Sequence, residues 1–246
     1  MRAAEGGRPE DPEAELDSRR RAREVQSGAS RAAVLGISDG LVTNVSLILG
    51  VAGATAGSRF VLLAGLASLV AGAASMAVGE YVSMAAQVEL LRRLLAEFRE
   101  HMRRQPEHAR QDLEDFIREG GVAPATAMNA SKQIALVPGR ALAVYARSLG
   151  MDPEELGSPW KAALTSLVTF AAGALVPLLP WFFTGGSRAA LLSLALGAGA
   201  ALGGGAVLGY RGGRRIAWSA ARQLIALAFA AGATWGAGRL FHVTVT

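Results

Sequence analysis

Three side chains that can ligate a metal ion lie in stretches apolar enough to span a bilayer. Asp39 lies in the first stretch, and Met76 and Glu80 lie one helical turn apart in the second. A carboxylate in hydrocarbon costs at least ~2.5 kcal/mol, so membrane proteins that keep one there commonly use it on an ion or proton pathway. Carboxylate oxygens and a thioether favour ferrous iron or manganese over magnesium or calcium. Because protons compete for the same carboxylates, we expect exchange of metal for protons.

Apolar runs predict an all-α membrane protein with five transmembrane helices. Of the 246 residues, 51% are hydrophobic and 30 are glycine, which is typical of membrane helices rich in small residues. The predicted spans are residues 32–56, 60–84, 160–183, 189–210 and 217–240. Arginines cluster at the ends of these runs, so the formal charge of +5 indicates membrane anchoring and no nucleic-acid partner. Their excess on one side predicts a cytoplasmic N-terminus and an external C-terminus.

The spans divide the chain into four parts. Residues 1–29 are expected to form a disordered cytoplasmic tail, and residues 30–88 contain the first two spans. Residues 89–158 are expected to form a small helical cytoplasmic domain, and residues 159–246 contain the last three spans. In the domain, the second span continues until Pro106, a further helix runs from Pro106 to Gly120, and another runs from about Gly139 to Gly150. A domain this small is expected to pair with a second copy.

The two carboxylates are predicted to lie at the same depth in the membrane. Asp39 is about eight residues inward from Arg31, and Glu80 is about as far inward from Val88. Antiparallel packing of the two helices would bring the carboxylates level, roughly 12 Å into the membrane, where they could share one ion. Each residue also has a purely structural interpretation. Asp39 could be a packing or capping group, Met76 could fill space in the core, and the Glu80 side chain could extend to the membrane–water interface. Their joint arrangement favours transport.

Two long motifs resemble the vacuolar iron transporter family. The stretch Arg31–Ala54, which contains Ser38-Asp39-Gly40, looks like the first-helix signature, and Ser75–Ser83 looks like the second-helix signature. Further similar segments are Glu155-Leu156-Gly157-Ser158-Pro159, Gly173 and Pro177-Leu178-Leu179-Pro180. The resemblance covers about residues 30 to 241.

This resemblance implies a homodimer of five-helix subunits in a lipid bilayer that exports ferrous iron, and often manganese, from the cytosol in exchange for protons. It implies a path at the dimer interface, lined by the first two helices, with Asp39 and Met76 on the path and Glu80 in the same motif. We therefore expect a transporter and not an enzyme, with no cofactor besides the transported Fe²⁺ or Mn²⁺ and the coupled H⁺. Richness in Ala, Gly and Arg and minimal loops suggest a bacterial inner membrane.

The cytoplasmic part departs from the family pattern. Members with a cytosolic metal-binding domain carry paired glutamates around a Pro-Glu step, and several of these positions are not acidic here. Four nearby carboxylates could substitute in a shifted register: Glu97, Glu100, Glu107 and Glu114. Arginines among them would oppose a divalent cluster, so a salt-bridged helical face is the competing interpretation. The alternative function is accordingly a non-transporting membrane scaffold or metal sensor derived from this family.

Overall fold

The computed structural model describes residues 28–54, 57–151, 157–211 and 215–240. Eight helices occupy these ranges: α1 (Gly28–Gly53), α2 (Ser58–Arg104), α3 (Pro106–Glu119), α4 (Pro124–Ala135), α5 (Pro138–Ser148), α6 (Pro159–Phe183), α7 (Gly186–Arg211) and α8 (Ile216–Leu240). The predicted tail lies outside the described residues except for its last two, which begin α1. The described residues form two compact units, one consisting of 28–30, 83–151 and 157–158 and the other of 31–54, 57–82, 159–211 and 215–240.

Five of these helices, α1, α2, α6, α7 and α8, are long and apolar enough to cross a bilayer. The predicted all-α membrane fold is therefore confirmed, and the described ranges contain no strand. With 47 residues, α2 is roughly 70 Å long, far more than the ~30 Å that a bilayer core requires. As predicted, α2 continues past its apolar part until the chain turns at Gln105 and α3 begins with Pro106.

Glycines set the packing of α1 against α6. A Cβ on Gly40 would overlap the carbonyl oxygen of Phe170, and a Cβ on Gly173 would overlap the carbonyl oxygen of Ile37. The two backbones therefore touch, as small residues allow in membrane helices. On its other side α1 packs against α7 and α8 through a buried cluster consisting of Leu41, Val45, Ala201, Leu227 and Ala231. These contacts define the rotation of α1 about its own axis.

A second buried cluster closes the end of the bundle where α1 and α2 meet. Ile48, Val61, Leu178, Trp181 and Ala189 pack there, and they come from α1, α2, α6 and α7. Trp181 Nε1 donates a 2.8 Å hydrogen bond to Ser193 Oγ, which in turn donates to the Pro177 carbonyl oxygen at 2.6 Å. This chain of bonds satisfies the indole N–H inside the apolar cluster.

The other unit is a small helical domain built on the end of α2. Phe98 is buried with Leu113, Ala141 and Leu142, which come from α3 and α5, and its ring stacks on Tyr145 with centroids 4.0 Å apart. The helix α4 was not predicted from the sequence. It begins at Pro124 and buries only small side chains, so it lacks the large apolar residues from which a periodic pattern is recognised.

Candidate functional site

Asp39 is held at the surface of its unit by the contacts of its two sequence neighbours. Ser38 Oγ accepts a 2.7 Å hydrogen bond from Gln223 Nε2 on α8, and Gly40 abuts the backbone of α6 at Phe170. The Asp39 side chain is exposed, and Thr43 Oγ1, one turn further along α1, donates to its Oδ1 at 3.3 Å. The chain thus presents an exposed carboxylate on a helix that is otherwise suited to hydrocarbon.

Met76 and Glu80 lie on the side of α2 that approaches α6. Ala73 is buried with Phe170 and Ala174, and Met76 packs against this cluster as a half-buried residue. Glu80, one turn later, is also half-buried, and within the described part of the chain it forms no hydrogen bond or ion pair. The thioether therefore has a packing role in a single chain, while the Glu80 carboxylate keeps its ligand positions free.

A single chain does not assemble a complete metal site from these residues. Within residues 28–54, 57–151, 157–211 and 215–240, no group of three or more His, Asp or Glu side chains is placed to hold an ion. No hydrogen bond joins Asp39 to Glu80. The shared site that the sequence suggests for Asp39, Met76 and Glu80 therefore stays a prediction.

Asn44 is a polar contributor that sequence reasoning missed. It is fully buried on α1, and its Nδ2 donates a 2.7 Å hydrogen bond to the Ala174 carbonyl oxygen on α6. Its Oδ1 is buried without a partner. The available signal was an amide inside an apolar run, because such a group needs an interhelical partner in the membrane. Asn44 ties α1 to α6 just beyond the glycine contact at Gly40.

Two of the four glutamates of the predicted cytoplasmic domain are paired with arginines of α2. Arg93 Nε donates to Glu97 at 2.8 Å, and Arg104 Nε donates to Glu100 at 2.6 Å. The hydrogen bond from Arg104 and the charge of Arg103 lower the pKa of Glu100. These are exposed i,i+4 pairs, which occupy the carboxylates and stabilise the helix only slightly.

The other two glutamates converge on one arginine of α3. Arg110 donates to Glu107 at 3.1 Å and to Glu114 at 2.8 Å, and it also reaches Ser131 Oγ on α4 at 3.2 Å. Its side chain is only 17% exposed, and hydrogen bonds from its guanidinium to the two carboxylates raise the pKa of Arg110. A guanidinium thus lies between the carboxylates that a divalent ion would need, as the salt-bridged interpretation expects.

Comparison with known proteins assigns the family. The VIT family model matches residues 30–239, nearly the range covered by the predicted resemblance. The chain belongs to the VIT family. It is 36% identical over 217 residues to the "Vacuolar iron transporter homolog 1" of Oryza sativa subsp. japonica, an alignment that covers 86% of this chain and 73% of that protein. The family resemblance inferred from the two motifs is confirmed.

Other VIT relatives align over a similar range. The "Vacuolar iron transporter homolog 2" of Oryza sativa subsp. japonica is 33% identical, with 86% of this chain and 89% of that protein covered. The "Vacuolar iron transporter 1" of Eucalyptus grandis is 28% identical, with 78% of both proteins covered. The family consists of transporters, which agrees with the expectation that this chain is not an enzyme.

Proposed function

We propose that this protein exports a divalent transition metal, ferrous iron and/or manganese, from the cytosol in exchange for protons. The observation that carries the proposal is the exposed Asp39 carboxylate on the membrane-length helix α1. Within the described residues its one bonded partner is the Thr43 hydroxyl, and no cation neutralises it. Such a group is too costly to face lipid, so it requires a polar path or a second subunit.

A homodimer would complete the ligand set. Asp39 and Glu80 are the acidic residues of the predicted spans in one subunit, so two copies would supply four carboxylates and two Met76 thioethers. Oxygen-rich sites with a softer thioether suit a first-row divalent ion. The proposed ion site therefore lies between α1 and α2 at a dimer interface. The names of the relatives, which are called vacuolar iron transporters, support the choice of iron.

Proton coupling follows from the same carboxylates. Protons and a divalent cation compete for the same carboxylate oxygens. Loading of metal would thus release protons, and protonation would release metal. We propose a bacterial inner membrane, with the N-terminus in the cytoplasm and the C-terminus outside.

Flux into proteoliposomes tests the proposal. We expect uptake of Fe²⁺ or Mn²⁺ that depends on an imposed pH gradient and falls at least tenfold in Asp39→Ala. Glu97→Ala and Glu100→Ala are matched controls, because these carboxylates are already paired with arginines, and we expect them to keep most of the flux. Equal losses in all three variants would show that the carboxylates of the predicted cytoplasmic domain matter for transport as much as Asp39. No flux under any gradient would favour the scaffold or sensor alternative.

A further inference from the structure

The rotation of α8 about its axis is determined by close contacts with α7 and α1. A Cβ on Gly205 of α7 would lie 2.7 Å from the Cα of Ala220, so the two helices touch there through their backbones. Gln223 Nε2 donates to Ser38 Oγ of α1 at 2.7 Å, and Leu227 is buried in the cluster shared with α1 and α7. These three anchors turn one face of α8 toward the protein and leave the opposite face outward.

The outward face carries a stripe of cationic, aromatic and aliphatic residues. We call it the α8 stripe, and it consists of Trp218, Arg222, Ile225 and Phe229 on α8 together with Arg215, which directly precedes the helix. Steps of three and four positions place the helical members on one face. All five are exposed, and Trp218, Ile225 and Phe229 expose 63%, 61% and 78% of their surface. From Arg215 to Phe229 the stripe covers roughly 21 Å, about a headgroup layer plus one acyl leaflet.

The charge of the stripe is not balanced by protein carboxylates. The sequence contains no Asp or Glu from Gly157 to its end, so α6, α7 and α8 carry cations alone. Within the described residues, Arg215 and Arg222 form no ion pair. The two exposed guanidinium groups flank a tryptophan at the end of a membrane helix. Because the described part of the chain offers them no carboxylate, their counter-ion would be an anion supplied from outside the chain.

We propose that the α8 stripe is a binding site for an anionic phospholipid. The phosphate lies between Arg215 and Arg222, whose planar forks match phosphate oxygens. Trp218 lies at the level of the headgroups, and an acyl chain packs along Ile225 and Phe229. The site is separate from the proposed metal path, and it holds whether or not the protein transports metal.

Lipid titration of the delipidated full-length protein, followed by native mass spectrometry, tests this site. We expect phosphatidylglycerol to bind more tightly than phosphatidylcholine of the same chain length. The double variant Arg215→Gln/Arg222→Gln should lower the phosphatidylglycerol affinity roughly thirtyfold, given the usual contribution of each arginine near a lipid surface. The matched control is Arg59→Gln/Arg188→Gln, which removes two exposed arginines from the opposite ends of the helices and should leave the affinity unchanged.

Further measurements distinguish lipid binding from the binding of simpler anions and from the effects of misfolding. Millimolar inorganic phosphate should not displace the lipid, because the acyl chain contributes to binding, and Phe229→Ala should weaken it several-fold. The pair Arg215→Lys/Arg222→Lys keeps the charge but loses the planar forks, so its phosphatidylglycerol affinity should lie between those of the parent and the glutamine pair, which a misfolded variant would not show. Equal binding of the two lipids, equal losses in the test and control pairs, or displacement by phosphate would each overturn the proposal.

Discussion

Substitution of Gly173 by alanine tests the contact that fixes α1 against α6. An added Cβ would overlap the Ile37 carbonyl oxygen and would lie 3.0 Å from both the Ile37 carbonyl carbon and the Leu41 nitrogen. All three atoms belong to the α1 backbone, so no side-chain rotation can relieve the overlap. The helices must separate, and overpacking of this kind costs about 1–3 kcal/mol.

Gly199→Ala on α7 is the matched control. A Cβ at Gly199 would meet nothing within 4 Å, and the residue is exposed. Because alanine favours a helix over glycine by about 1 kcal/mol, this variant should be as stable as the parent or slightly more stable. Both variants gain the same helix propensity, so they should differ in unfolding free energy by the overpacking cost alone, about 1–3 kcal/mol.

Reversible unfolding in mixed micelles of mild detergent and dodecyl sulfate, followed by tryptophan fluorescence, would measure both variants. A Gly173→Ala protein as stable as Gly199→Ala would refute the close backbone contact. The same variant also bears on function, because a displaced α1 moves Asp39. We expect its metal flux to fall even under conditions in which the protein remains folded.

Three further variants examine other parts of the structure. Arg110→Met removes the cation between two carboxylates, so amide hydrogen exchange in α3 and α4 should become several-fold faster. Substitution of the exposed Arg118 by methionine is the control and should leave the exchange rates unchanged. Ser193→Ala leaves the Trp181 indole N–H without its acceptor and should cost about 1–3 kcal/mol in the same micelle titration, and adding Trp181→Phe should recover part of that loss. Asn44→Leu removes a buried hydrogen bond together with an unpartnered oxygen, so its net effect on unfolding free energy should stay within about 1 kcal/mol.

Helix positions were predictable where local chemistry decides them. The apolar runs placed the five membrane-length helices within a few residues of their observed bounds, except that α2 continues to Arg104, well past the predicted end of its span at residue 84. Pro106 and Gly120 marked the start and the end of α3 correctly, because proline favours a first helical turn and glycine an ending. The helix α4 escaped prediction because its buried residues, Ala127 and Ser131, are too small to produce a hydrophobic pattern.

The sequence suggested the residues of the candidate site but not their surroundings. Asp39 and Glu80 stand out in the sequence because charge within hydrocarbon is costly wherever it occurs. Their surroundings depend on helix rotation: Asp39 is exposed, while Met76 packs against Phe170. Spacing along one helix defines a face, but it does not say which neighbour that face meets.

Composition and spacing alone determined that this chain is a membrane protein with five apolar helices, and two motifs identified its family. These properties belong to single segments, and free energies of transfer into lipid act on each segment separately. Tertiary structure alone decided that Asn44 bonds to α6, that Arg110 joins two carboxylates to Ser131, and that one face of α8 points outward. The contact of Asn44 and the orientation of α8 depend on close approach between helices distant in sequence, where glycines let the backbones touch. The bond from Arg110 to Ser131 depends on how α3 packs against α4.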